Sequence, residues 1–358
     1  MRDRLAYLIF RALSSLCRLL GARGAAGLGC FLGWLLSLVD DRAGQGRIIR
    51  HLTRAFGRHR ALGLLPRYYE HMGLLIVELA RMWHPRQGDF ADCIAPDGIE
   101  RLKAVTASGR GVICITGHLG CWEYAGHCLA AHGVPLHALY RPLKNRHLDR
   151  HLRSMRERSG MIVHEKRNAV RTIIRVLRAG EAVGLLMDQD GSKSGVFVPF
   201  FGELGSTLPT AARIARRTGA AIIPVTCYRD GSRAFHRLRI GPEVVQADTG
   251  DPELDVLITT RNCNRALEAA VLEHPAQWLW RHRRWRTRPA PRDARKWREA
   301  VARLRNRVPA SKPAAFHLLE AEAFELWCGS VGLEEESVGF HAAIPFFIRD
   351  APQPQQGL

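Results

Sequence analysis

At 358 residues the chain is long enough to bury a full α/β core, as one large domain or one domain with appendages. Fifty-three Lys and Arg against thirty-four Asp and Glu leave a formal charge of +19, so the surface calls for an anionic partner: nucleic acid, anionic lipid or a phosphate-bearing substrate. Nine cysteines, an odd number with no Cys-x-x-Cys pair, argue against a disulfide framework and for a reducing compartment. Sixteen histidines include the close-set His118, His127, His132 and His137, but no thiolate–histidine grouping has zinc-ligand spacing, and no metal is expected.

Leu5 to Val39 is strongly apolar yet carries Arg11, Arg18 and Arg23. Its longest charge-free stretch, Gly24 to Val39, falls short of the ~20 residues that cross a bilayer comfortably. Recurring charges and the lack of a small-x-small cleavage site argue against a signal peptide. Three readings stay open: a short single span, a pair of interfacial helices with arginines toward phosphate, or amphipathic helices packed on the domain. The basic balance favours membrane contact from the cytoplasmic side.

Residues 44 to 84 read as helices, clearest over Leu62 to Met82 and stopped by Pro85. From about Gly109 the pattern changes. Gly111–Thr116, Val134–Tyr140, Ala182–Met187 and Ala220–Cys227 read as buried strands. Cys121–Ala131, Leu148–Arg158, Ala169–Arg178 and Leu208–Thr218 between them read as helices. This alternation predicts an α/β fold: a mostly parallel central sheet with helices on both faces, preceded by N-terminal apolar, membrane-associated helices. Phe235–Ile240 is expected as an edge strand and Leu254–Glu273 as a last long helix. The domain reading is 1–40 for anchoring or interfacial helices, 41–289 for the main domain, and 290–358 for a poorly ordered or loosely attached extension. That extension holds a basic helix candidate at 297–304, then Pro-broken fragments; its nine basic and nine acidic residues cancel, so the charge surplus lies before it.

The run Ile113-Cys114-Ile115-Thr116-Gly117-His118-Leu119-Gly120-Cys121-Trp122-Glu123 carries the chemistry. On a continuous helix, residues five apart point about 140° away from each other. His118 and Glu123 can meet only if His118 sits on a strand-to-helix turn, freed by Gly117 and Gly120, with Glu123 in the first helical turn. A glutamate on one imidazole nitrogen would leave the other to take a proton from a hydroxyl. The alternative is a histidine capping a turn with Glu123 on the surface. Tyr140-Arg141-Pro142 and Asp188-Gln189-Asp190 follow other predicted strands, so they gather at the same carboxyl edge. Residues 275–289 interleave five arginines with three tryptophans, a surface suited to phosphate and headgroups.

Taken in order, Gly117-His118-x-Gly120-x-Trp122-Glu123, Tyr140-Arg141-Pro142, Asp188-Gln189-Asp190, Val198-Pro199-Phe200-Phe201-Gly202 and the 277–289 run resemble the bacterial lipid A lauroyl and myristoyl acyltransferases, within the lysophospholipid acyltransferase group. The resemblance covers residues 1 to 289. It implies an acyltransferase domain on the cytoplasmic face of the inner membrane, moving a fatty acyl chain to a hydroxyl of a lipid A precursor or related phosphorylated glycolipid. The donor it implies is a thioester of acyl carrier protein or coenzyme A. His118 and Glu123 match the catalytic histidine and acid; Arg141, Asp188, Gln189 and Asp190 fall in motifs tied to the substrate and the reaction centre, and Arg284, in the arginine–tryptophan run, is expected to meet membrane or lipid phosphate. The expected mechanism is His general-base catalysis without a covalent intermediate: no Gly-x-Ser-x-Gly elbow occurs, no cysteine has an evident base, and no cofactor is required. A basic nucleic-acid-binding protein is the rival from another class; no helix-turn-helix, finger or RNP-type signature supports it. A second rival is a lipid-binding relative without turnover, against which an intact His118 and Glu123 argue.

Overall fold

The computed structural model describes residues 2–82, 94–165, 169–231 and 233–290, together with Asp293 and Glu299. The expected stop at Pro85, the helix at 297–304 except for Glu299, and nearly all of the 290–358 extension lie outside these residues.

Four helices come first: α1 (Arg2–Leu19), α2 (Gly21–Val39), α3 (Arg42–Phe56) and α4 (Arg58–Arg81). The Asp41 carboxylate caps α3 by accepting from Gly44 N. Gly57, at φ 77°, ends α3 and turns the chain straight into α4. The alternating half follows as β1 (Ile94–Asp97), α5 (Ile99–Ala107), β2 (Val112–Thr116), α6 (Trp122–Ala131), β3 (Leu136–Tyr140) and α7 (Arg146–Arg158). Then come β4 (Ile162–Glu165), α8 (Ala169–Arg178), β5 (Ala182–Leu186), β6 (Val196–Phe200) and β7 (Glu203–Thr207). The order closes with α9 (Thr210–Thr218), β8 (Ala221–Arg229), β9 (His236–Ile240) and α10 (Pro252–Glu273).

Among the described residues seven strands form one sheet in the order β1-β9-β8-β2-β5-β3-β4. Only the β8–β9 pairing is antiparallel. The α/β architecture expected from the alternation is therefore the one observed. One placement differs. The strand expected at the edge, β9, is flanked on its outer side by β1, whose Ile-Ala-Pro-Asp is too short and too polar to signal a strand. Pro96 is tolerated there because β1 is the true edge.

The period-2 alternation of β2 divides the core. Ile113 and Ile115 pack with Tyr68, Ile173 and Leu267 on one face. Val112 and Cys114 pack with Leu102, Tyr124 and Leu129 on the other. Both faces are covered, as a parallel sheet requires. Strands β6 and β7 form a separate hairpin, closed by Phe201 and Gly202 at φ 50° and 73°. A phenylalanine in the left-handed region is unusual; the Glu268 carboxylate of α10 accepts the Phe201 N–H, and the ring lodges against Phe56 and Trp280.

Candidate active site

Strands β2, β3, β5 and β8 run in one direction, so the segments leaving their carboxyl ends share one edge of the sheet. His118 leaves β2, Arg141 leaves β3 and Asp188 leaves β5. The imidazole Nδ1 of His118 lies 2.9 Å from Asp188 Oδ1, and the His118 backbone N–H donates to Asp188 Oδ2 at 2.6 Å. Trp278 Nε1 donates to the same Oδ2 at 2.8 Å. A carboxylate receiving these contacts fixes Nδ1 as a donor and leaves Nε2 to accept a proton. Gly117 makes the approach possible, since a Cβ there would sit 3.0 Å from Asp188 Oδ2.

Asp188 is 1% exposed. Burial alone would raise its pKa, but the His118 charge and the hydrogen bonds hold it far below the ordinary carboxylate range. Burial likewise opposes a charged His118; the Asp188 charge and hydrogen bond, with a lesser contribution from Glu123, raise its pKa above the ordinary value. The pair therefore behaves as an oriented base whose protonated form is stabilised.

Glu123 is not the partner of the imidazole, contrary to the expectation drawn from spacing. It lies in the first turn of α6, where it makes a bidentate ion pair with Arg156 of α7, at 2.9 Å to Nε and closer to Nη2. Arg156 in turn stands 5.9 Å over the Tyr140 ring, immediately before Arg141. Burial pushes the Glu123 pKa up, but Arg156 brings it below normal overall. The reason for the separation is the path of residues 118–121. Gly120, at φ 58°, abuts the carbonyl of Cys227, which a Cβ would approach to 2.1 Å. Gly120 N donates to Gln277 O, Cys121 N to Cys227 O, and Leu279 N to His118 O. This stitching draws the turn toward β8 and residues 277–279, so the imidazole faces β5 while α6 carries Glu123 toward α7.

Arg284 differs more sharply. Expected at lipid phosphate, it is fully buried. Its guanidinium donates to Ser206 O at 2.7 Å and Thr207 Oγ1 at 2.5 Å and lies 4.8 Å from the Phe200 ring centre. Burial pulls its pKa down to about 10. It pins the β6–β7 hairpin rather than meeting ligand, and Trp278, Trp280 and Trp285 of the same run are core residues too. Arg284→Ala is accordingly expected to lower stability by about 1–3 kcal/mol, through loss of two charge-assisted hydrogen bonds and of the packing on Phe200, which a fall in denaturant midpoint at unchanged m-value would register.

The other expected residues divide. Asp190 accepts from Thr287 Oγ1 at 2.9 Å and pairs with Arg286 at 3.4 Å, tying residues 286–287 to the sheet edge. Gln189 and Arg141 are exposed and open to a ligand. Two residues of the quoted motifs to which sequence gave no role flank the imidazole: Trp122 edge-on with ring centres 4.7 Å apart, and His282 at 4.6 Å. His282 Nε2 is buried with no hydrogen-bond partner, and burial, then the neighbouring His118 charge, lower its pKa. Its only signal in sequence was a histidine inside an Arg/Trp run. Cys121 is buried, and burial drives its thiol pKa well above normal, which suits packing rather than attack.

The family model described as bacterial lipid A biosynthesis acyltransferase matches residues 3–287. Over 270 residues the chain is 29% identical to the lipid A biosynthesis palmitoleoyltransferase of Escherichia coli (strain K12), covering 73% of this chain and 85% of that protein. It is 28% identical over 272 residues to the lipid A biosynthesis lauroyltransferase of the same organism, again covering 73% and 85%. With a phosphatidylinositol mannoside acyltransferase of Mycolicibacterium smegmatis (strain ATCC 700084 / mc(2)155) it shares 28% identity over 256 residues, 68% of this chain and 80% of the relative.

Proposed function

We propose that this chain, which belongs to the bacterial lipid A biosynthesis acyltransferase family, transfers a fatty acyl group from a carrier-protein or coenzyme A thioester to a hydroxyl of a phosphorylated glycolipid at the cytoplasmic face of the inner membrane. The observation that carries the reading is the His118–Asp188 contact at the carboxyl edge of the sheet, which leaves Nε2 free to act as general base. The acceptor hydroxyl gives its proton to Nε2 as its oxygen bonds to the thioester carbonyl carbon. The tetrahedral oxyanion then collapses, the C–S bond breaks, and the departing thiolate recovers the proton from the imidazolium.

Asp188 stabilises the imidazolium formed on the way; Glu123 adds a through-space charge and, by way of Arg156, holds α7 beside the Tyr140–Arg141 turn. The Gly120 and Cys121 N–H groups are already committed, which makes Arg141 and a neutral His282 candidate donors for the oxyanion. Exposed Arg141 and Gln189 suit the acceptor head group, with Arg141 matching phosphate. Asp190 serves the site indirectly, by fixing residues 286–287.

The experiment pairs radiolabelled acyl-acyl carrier protein and acyl-coenzyme A with a panel of acceptors: a lipid A precursor, a phosphatidylinositol mannoside and a lysophospholipid. A labelled glycolipid product is expected; the resemblance to a mannoside acyltransferase is the reason the second acceptor belongs on the panel. Release of free fatty acid alone, with no acylated lipid, would overturn the proposal.

A further inference from the structure

Helix α2 is long and apolar enough to cross a membrane by length and composition. Its packing argues for a different disposition. Ala25, Gly29 and Gly33, one face at four-residue spacing, are buried against α4. A Cβ at Gly33 would lie 2.4 Å from Tyr69 O, and one at Gly73 would lie 2.0 Å from Gly29 O. The two backbones therefore touch along a glycine seam that no larger residue would permit. Helix α4 is itself fastened to the domain. Glu78 pairs with Arg229 of β8 and, at 3.0 Å, with His236 of β9, while Tyr69 Oη donates to Asp40 at 2.8 Å. Helix α1 is tied down at its start, where Asn145 Nδ2 donates to Asp3 O at 2.8 Å and Tyr7 meets the His147 ring. For α2 to span a bilayer, the seam must open, or α4 must carry Glu70, Glu78 and Arg67 into hydrocarbon.

The opposite faces of both helices are uncovered. Leu8, Ile9 and Leu16 on α1 and Phe31, Trp34 and Leu38 on α2 are all exposed, with Leu38 at 61%. Exposed Arg4, Arg11 and Arg18 lie on α1 and exposed Arg23 lies on α2. Apolar surface bordered by arginines matches an anionic bilayer surface. We propose that α1 and α2 lie in the plane of one leaflet, apolar faces down, docking the domain without crossing the membrane. Because Asn145 joins α1 to the segment after Arg141, this orientation brings the Arg141 turn to headgroup level. The inference stands apart from the catalytic reading, since its readout needs no acyl transfer.

The test uses the full chain with a fluorescent non-natural residue at Leu20, Phe31 or Leu38, all exposed on the same side, bound to vesicles of phosphatidylcholine with anionic phosphatidylglycerol. Lipids brominated at graded depths should quench all three positions at one shallow depth, and an impermeant quencher added outside should reach both Leu20 and Leu38. A deep Phe31 with the two ends on opposite sides would overturn the proposal in favour of a span. Trp34→Glu/Leu38→Glu should weaken vesicle partition by ~10-fold or more, and vesicles lacking the anionic lipid should bind less well. Unchanged partition of that variant, or concentration-dependent self-association with no vesicle binding, would equally sink it.

Discussion

Replacing His118 by alanine is expected to lower kcat by ~10²-fold or more while leaving the fold and donor binding intact, the scale associated with loss of a general base. The side chain is 14% exposed, packs against Trp122 and His282 and pairs with buried Asp188, so some stability is lost as well, and circular dichroism of the variant separates that loss from the loss of turnover. Retention of a tenth or more of the activity would mean that another group takes the proton. His282 is the neighbour that could, and the double variant would expose it.

Asp188→Asn separates the two carboxylates. The amide keeps the shape but can offer the imidazole its N–H, which favours the wrong tautomer, and it carries no charge to stabilise the imidazolium; a fall in kcat on the order of 10²–10⁴-fold is expected. The pH profile gives the sign. In the proposed role His118 must be neutral to act, and its pKa stands above the ordinary imidazole value because Asp188 is ionised, so wild-type activity is expected to rise with pH through that elevated value. Without the Asp188 charge the His118 pKa drops, and the acid limb of kcat/KM must move to lower pH. A limb that stays in place would remove Asp188 from the role. Glu123→Ala serves as the contrast. It strands Arg156 beside α6 at about 3 kcal/mol in stability, and it should move the acid limb less than Asp188→Asn does. A larger movement from Glu123→Ala would restore the local pair as the working one.

The sheet was legible because β2, β5 and β8 are continuous apolar runs bounded by Gly and polar turns, a pattern strong enough to locate within about two residues. The edges were not. β1 and β4 are four residues long, and each ends in an exposed acidic residue. The motif at Val198–Gly202 could be quoted as residues, yet nothing in it revealed a hairpin clamped by an arginine eighty positions on. Sequence places charges by default on the surface. Arg284 escapes that default because a backbone carbonyl, a threonine hydroxyl and an aromatic face meet its fork. In the site, the histidine and the two other strand-end clusters were readable from position alone. Its partner was misassigned because proximity along the chain favoured Glu123, whereas the contact made runs across the sheet to Asp188, seventy residues away.

That contact has a temporal corollary. Asp188 is gripped from two distant parts of the chain, by residue 118 and by the indole of Trp278. A ribosome must release almost the entire domain before the third donor exists, and residues 277–279 also stitch the turn that carries the imidazole. A nascent chain arrested before Trp278 would own the histidine, the carboxylate and the apolar helices, yet lack both the indole that grips Asp188 and the contacts that hold the turn carrying the imidazole.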